Sequence, residues 1–369
     1  MDTIYDYLKW RGDLSFRQNP FNEVDAAILA RFCYEPFEDI VSPSLRTFSD
    51  VKDVCAKLLN RPSLRYDVID AKYDLDLIRI IADSPRFANM QISGFVNEVD
   101  EVKQVQFSAC VFHLDGEQNY YVAFRGTDNT IIGWKEDFNM GFEFPVPAQE
   151  KALAYFENAV ATFKDGTFIV GGHSKGGNLA IYAATYCDDR FNSPVTDIYN
   201  FDGPGFTEQI MNTEEFQRIE HQIHTYVPEF SVVGMLLEHM EDYSVVHSDQ
   251  NGIMQHEILT WETGIDKFIH KKEVSKESKL FDKAFKDWIS GLDKVQREQF
   301  VDTVFKLMMC SDAHTLAEFT EKRKELMTRV IGTYQSMDAE TKQGFKSSTR
   351  RLFDTVTNML KSSRDKLKE

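Results

Sequence analysis

Gly171-Gly172-His173-Ser174-Lys175-Gly176-Gly177 constrains the fold of this chain more than any other stretch. It follows the apolar run Thr167-Phe168-Ile169-Val170 and leads into Asn178-Leu179-Ala180-Ile181-Tyr182-Ala183-Ala184, which reads as a helix. Strand, Gly-x-Ser-x-Gly, helix describes a nucleophile elbow, a sharp turn that holds a serine hydroxyl at the top of an α/β sheet. Strand and helix pass so close that a Cβ at Gly172 or Gly176 would collide, and the serine itself is expected in strained geometry. The plainer alternative is a glycine-rich turn in which Ser174 caps the helix. A phosphate loop is excluded, because Lys175 precedes the paired glycines and no Gly-Lys-Ser/Thr ending follows.

The flanking sequence supports a sheet around this turn. Beyond Thr127, helical Ala148–Phe163 and Gly176–Cys187 alternate with short strands at Thr167–Val170, Asp197–Phe201, Ile223–Val227 and Tyr243–His247. Such alternation with short links predicts a mostly parallel sheet covered by helices. Before it, Gln91–Val99, Val105–Leu114 and Asn119–Arg125 read as antiparallel strands, with Asp115-Gly116 as a hairpin turn. Residues 1–84 read as helices, notably Asn22–Phe32, Ser49–Leu59 and Leu75–Ile81. From Asp266 onward the chain is charged and helical, with Phe281, Phe285, Trp288, Ile289 and Leu292 at helical spacing. His270 and His314 are expected on helices. The expected organisation is a helical N-terminal extension over 1–84, an α/β core over 85–265 and a helical C-terminal extension or cap over 266–369.

Charge narrows the partners. The 369 residues carry a formal net charge of −17. Residues 271–369 hold 21 Lys and Arg against 16 Asp and Glu, so the acidity resides in the preceding part. An acidic main domain argues against nucleic acid as a partner. The basic tail reads as a solvated helical face, its cations too interleaved with acids for a membrane- or nucleic-acid-binding role. Five scattered cysteines (Cys33, Cys55, Cys110, Cys187, Cys310) without Cys-x-x-Cys spacing fit free thiols in a reducing compartment, and point to neither a zinc site nor a disulfide framework. Neither a signal peptide nor a run of transmembrane length is visible, so the expected location is the cytoplasm.

A serine hydroxyl becomes nucleophilic when an imidazole can take its proton and a carboxylate fixes that imidazole's tautomer. On this fold the order is Ser, then Asp or Glu, then His, each from a loop at the carboxyl end of a successive strand. Asp202 follows the strand after the elbow helix, in Phe201-Asp202-Gly203-Pro204-Gly205, and Glu229 follows the next strand. Asp202 is favoured because Gly-Pro-Gly limits its freedom, with Glu229 the alternative. His256 lies in the polar loop after the last strand and is the expected base. His247, which ends that strand, is its rival, while His173 is expected to pack under the elbow. Oxyanion donors are expected from the backbone N–H of Lys175 and from Thr127, which ends Phe124-Arg125-Gly126-Thr127.

These blocks resemble the class three, fungal-type lipases of the α/β-hydrolase fold. Phe124-Arg125-Gly126-Thr127, Gly172-His173-Ser174-Lys175-Gly176-Gly177 and Phe201-Asp202-Gly203-Pro204-Gly205 are similar, in order, to Phe-Arg-Gly-Ser/Thr, Gly-His-Ser-Leu-Gly-Gly and Phe-Gly-x-Pro-Arg. Trp134-Lys135-Glu136-Asp137-Phe138 resembles the Trp-x-x-Asp-Leu element beside the lid. The similarity covers about residues 90–260. The whole chain also resembles a bacterial group of lipase-like proteins, through Asn22–Asp25 and Gln255-His256. The resemblance implies Ser174 as nucleophile, His256 as base and Thr127 as oxyanion donor. Two positions depart from the pattern. Lys175 replaces leucine, placing a cation beside the site and weakening the case for a neutral triglyceride. The block that normally carries the acid, Asp-x-Val-Pro, corresponds to Tyr226–Val233, with serine at the matching position.

The expected function is a serine hydrolase acting on carboxylic esters or thioesters of a small or lipid-like acyl substrate, with no metal or organic cofactor. A hydrolase-like fold used for binding or regulation is the alternative. The apolar segment Asp128–Pro145, with Ile131, Trp134 and Phe138, either buries itself as core or lines the acyl pocket above Ser174. The resemblance implies the second.

Overall fold

A computed structural model describes residues 1–61, 71–100, 102, 105–114, 118–128, 131–140, 143–188, 195–235, 237, 239, 242–309 and 323–366. The expected hairpin turn at Asp115-Gly116, Cys310 and His314 lie outside the described residues. The chain divides into two compact units, one formed by Met1–Thr127 with Pro147–Ser275, the other by Asp128–Val146 with Lys276–Glu369.

The first unit is built on a nine-stranded sheet in which every strand pairs with its neighbours in sequence. Strands β1 (Ser49–Asp50), β2 (Gln91–Asp100), β3 (Val105–Leu114) and β4 (Asn119–Phe124) run antiparallel. From β4, the strands β5 (Thr167–His173), β6 (Val195–Phe201), β7 (Ile223–Pro228) and β8 (Tyr243–Val246) are parallel, and β9 (His270–Lys271) closes the edge antiparallel to β8. His270 is thus on an edge strand, where a helix was expected; residues 270–271 pair with the Val245–Val246 backbone. This arrangement is an α/β-hydrolase fold.

The strand order dictates where helices go. Parallel strands laid down successively in one direction, each joined by a right-handed crossover, place their connecting helices on the same face. Helices α1 (Ile4–Arg11), α2 (Glu23–Phe32), α3 (Val51–Leu59), α4 (Ala71–Asp83) and α5 (Pro85–Ala88) precede the sheet proper, and α6 (Ile131–Asn139) belongs to the second unit. The crossovers use α7 (Pro147–Thr162), α8 (Lys175–Tyr186), α9 (Glu208–Met211) and α10 (Glu214–Ile219). On their face Phe156 of α7 packs edge-on against Phe168, with ring centres 5.8 Å apart. The opposite face would stand bare without the N-terminal helices. Val24 to Phe32 of α2 share one core with Cys110, Phe112, Tyr121, Ala123, Tyr199, Phe201 and Tyr226, the alternate residues of four strands. Helix α2 is buried at every position after Glu23, which explains the apolar stretch from Ala26 to Ala30 at its centre.

Asn22 to Asp25 locks α2 in place. Asn22 caps the helix by accepting from the N–H groups of Val24 and Asp25 at 2.9 and 3.2 Å, and Asp25 answers from the Asn22 N–H at 3.0 Å. Both carboxylate oxygens of Asp25 also meet the Arg86 guanidinium, at 2.8 and 2.6 Å, and both side chains are wholly buried. Glu23 accepts from the Tyr226 hydroxyl and the Phe268 N–H, both at 2.8 Å.

The second unit is helical. Lys276–Ser290, Lys294–Met309, Arg323–Ser336 and Ala339–Lys366 form its C-terminal helices. Trp288, Phe300 and Phe345 pack in succession there, with ring centres 5.1 and 5.4 Å apart. Helix α6 packs there, Phe138 against Phe305 at 5.9 Å and Lys135 paired with Asp302 at 2.7 Å. No helix among the described residues is long and apolar enough to cross a membrane.

Candidate active site

Strand β5 runs to His173 and α8 begins at Lys175, so the turn between them is a single residue, Ser174. Its φ of 58° and ψ of −134° lie outside the regions open to most L residues. The hydroxyl makes no capping bond to the helix, which removes the capping interpretation. A Cβ on Gly172 would stand 2.3 Å from the Gly176 carbonyl carbon, and one on Gly176 would stand 2.1 Å from the Phe124 carbonyl oxygen. The Ser174 N–H donates to the Phe201 carbonyl at 2.8 Å, tying the elbow to the end of β6.

Asp202 is the first residue beyond that strand. It also has a positive φ, 52°, and its N–H donates to the Tyr226 carbonyl at 2.8 Å. The following Gly-Pro-Gly turn is held by Asn178 of α8, whose amide donates to the Pro204 and Gly205 carbonyls at 3.1 and 3.0 Å. A Cβ on Gly203 would lie 2.3 Å from the Ser174 carbonyl oxygen, so Asp202 leaves the sheet beside the elbow. The carboxylate is 0 % exposed. Its Oδ2 lies 2.6 Å from His256 Nδ1, and its Oδ1 accepts from the Ser231 hydroxyl at 2.5 Å.

His256 ends a short 3-10 helix, Gly252–His256, whose backbone is gripped from several directions. The His256 carbonyl accepts from His173 Nε2 at 2.8 Å, and the Gln255 carbonyl from the Trp261 indole at 2.8 Å. Arg31 of α2 pairs with the adjacent Glu257 at 3.3 Å. The Tyr34 hydroxyl, just past α2, lies 3.2 Å from His173 Nδ1. Burial first, and then the neighbouring His256, hold the His173 imidazole well below its ordinary pKa. It is therefore neutral near pH 7, with its hydrogen on the nitrogen that faces the His256 carbonyl.

The rival acid and base pair with each other. Glu229 hydrogen-bonds His247 Nδ1, with Lys271 Nζ 3.9 Å from the same carboxylate. Of these two carboxylate–imidazole pairs, Asp202–His256 is the one bonded through His173 to the elbow strand.

The oxyanion candidates converge on the same turn. A Cβ on Gly126 would stand 2.9 Å from the Ser174 Cβ, which brings Gly126-Thr127 alongside the elbow serine. The Lys175 N–H belongs to the first residue of α8, where helix donors lack an intrahelical acceptor. The Lys175 side chain corrects an expectation. Its ammonium does not face the site as a bare cation: the residue is 0 % exposed and bonds the Gln106 carbonyl at 2.9 Å and Oε1 at 2.7 Å. Ile131 and Trp134 lie in α6, but their side chains are outside the described ones; Phe138 packs on Phe305 within the second unit.

Three partners went unassigned at the level of sequence. Ser231 carried a signal, since it occupies the position matched to the acid in the lipase pattern. Tyr34 and Gln106 carried none, lying 139 and 69 residues from the elbow residues they touch. Among the described residues, no group of three or more His, Cys, Asp or Glu could hold a metal ion.

Several solved lipases are similar in structure at low identity. The Rhizomucor miehei lipase propeptide complex is 18 % identical, with 46 % of this chain and 60 % of that chain covered at a TM-score of 0.35. The chain thus spans less than two thirds of that lipase. The lipase from Rhizopus microsporus var. chinensis is 17 % identical over 62 % of this chain and 80 % of that one, with a TM-score of 0.34. A triacylglycerol lipase described as having a serine protease triad is 17 % identical over 46 % and 70 %, with a TM-score of 0.31. No curated protein matches the sequence. Residues 81–306 match the Mbeg1-like family. That match runs through the elbow, Asp202 and His256 and takes in more than half of the sequence, so the chain belongs to the Mbeg1-like family.

Proposed function

We propose that the protein is a serine hydrolase that cleaves carboxylic ester or thioester bonds of a small or lipid-like acyl substrate through an acyl-enzyme. The observation that carries this reading is the 2.6 Å contact between buried Asp202 and His256 Nδ1, beside a serine held at a strained turn. With Nδ1–H directed to the carboxylate, Nε2 is the nitrogen that acts as base. Ser174 Oγ attacks the acyl carbon while its proton passes to His256. The developing oxyanion is met by the Lys175 N–H and by Thr127. His256 then gives the proton to the departing alcohol or thiol, and water releases the acid by the same steps in reverse order. The buried thiols of Cys33, Cys55, Cys110 and Cys187 support a reducing compartment, and we place the protein in the cytoplasm.

The test is a series of p-nitrophenyl esters and acyl thioesters of increasing chain length, offered to wild type and Ser174→Ala. Turnover lost in the variant supports the reading. A folded wild type that turns over none of them would leave a hydrolase-like fold used for binding or regulation.

A further inference from the structure

The Asp202 carboxylate is held at both oxygens. Oδ2 meets His256 Nδ1 at 2.6 Å, while Oδ1 meets the Ser231 hydroxyl at 2.5 Å. An ionised carboxylate only accepts, so Ser231 is the donor. Ser231 lies just beyond the end of β7 and is 0 % exposed. The loop continues around the same oxygen, since a Cβ on Gly234 would stand 2.3 Å from Asp202 Oδ1 and 2.9 Å from Ser231 Oγ. The carboxylate thus sits with one donor on each oxygen and a backbone turn packed against it.

That arrangement has a mechanical consequence. A carboxylate rotates broadly about its last torsion, where the minima are shallow. Asp202 starts from a left-handed backbone with φ of 52°, so its direction is not that of an ordinary strand-end residue. A donor on Oδ1 is what selects the rotation that presents Oδ2 to His256. Glu229, the rival acid, is engaged by His247 and Lys271 and offers Asp202 no such support.

We propose that Ser231 is a positioning residue that acts through Asp202, orienting the carboxylate toward His256. This rests on the reading of Ser174, His256 and Asp202 as a triad. A hydrogen bond to an ionised group, lost without a replacement donor, corresponds to about a tenfold change in rate. A carboxylate free to rotate holds the imidazolium less firmly, so the acid limb of the pH–rate profile moves to lower pH.

The experiment is a double-mutant cycle on ester hydrolysis with Ser231→Ala, Asp202→Asn and both together, each checked for folding by its thermal melt. Ser231→Ala is expected to lower kcat about tenfold with KM little changed, and to lower the acid-limb midpoint. In the Asp202→Asn background it is expected to lower kcat by less than about twofold, because the group it acts through is gone. An equal factor in both backgrounds, or an unmoved pH profile in wild-type background, would overturn the positioning role. Wild type that fails to hydrolyse esters or to lose activity with Ser174→Ala would instead overturn the triad reading.

Discussion

His173 Nε2 donates to the carbonyl oxygen of His256 across 2.8 Å, so the residue before the elbow serine holds the backbone of the candidate base. The two rings lie 4.5 Å apart, and Tyr34 closes the chain of contacts from beneath, 3.2 Å from His173 Nδ1. Tyr34→Phe removes that hydroxyl while keeping the ring. The loss of one neutral hydrogen bond should lower kcat about fivefold, leave KM nearly constant and move the melting temperature by only a few degrees. Steady-state kinetics with a melt of the same sample check this; unchanged kcat would remove Tyr34 from the account.

Lys175→Met tests the buried ammonium. The substitution keeps length and removes the donor that bonds Gln106 twice, leaving buried acceptors without it. Urea unfolding should show a loss of about 1–3 kcal/mol. A stabilised variant would mean that desolvating the charge outweighs its hydrogen bonds.

Helix α2 owes its seat to Asp25. Asp25→Ala strands the Arg86 guanidinium in a site with no exposure and should cost about 3–5 kcal/mol, read from the urea midpoint. A loss no larger than that of an exposed ion pair would show that the Leu14, Asn19 and Pro20 carbonyls around Arg86 suffice to hold the charge.

Acid should weaken the fold through two imidazoles shielded from water. Burial pushes His113 down to about 4 from an ordinary value of 6.5, and His173 shifts in the same direction. Both are neutral when folded and take up a proton on unfolding. Their contribution is therefore complete above about pH 6.5 and lost progressively as pH falls toward 4. His113→Gln should shrink the difference in urea midpoint between pH 7 and pH 5. An identical pH dependence in the variant would assign the acid sensitivity elsewhere.

The turn at Ser174 and the strands around it were legible because both rest on local rules. Glycine spacing marks a close approach, and β-branched runs of period two mark β2 to β4. The pairing of Asp202 with His256 could be anticipated because chain order maps onto strand ends. The cover of the second sheet face was not legible: α2 announces itself as a buried helix, but nothing local says that it packs on Tyr121, Tyr199 and Phe201. Strands β1 and β9 are two residues each and carry no period at all. Ser231 and Tyr34 meet the site across 29 and 139 residues, and only the folded chain brings such separations together.

The most direct test of the central claim is covalent labelling with a serine-directed fluorophosphonate, with the modified peptide mapped by mass spectrometry. Wild type is expected to carry a single adduct on Ser174, Ser174→Ala none, and His256→Ala to label at least tenfold more slowly, on the order expected for a disabled base. Folded wild type that stays unlabelled, or an adduct that persists in Ser174→Ala, would contradict it.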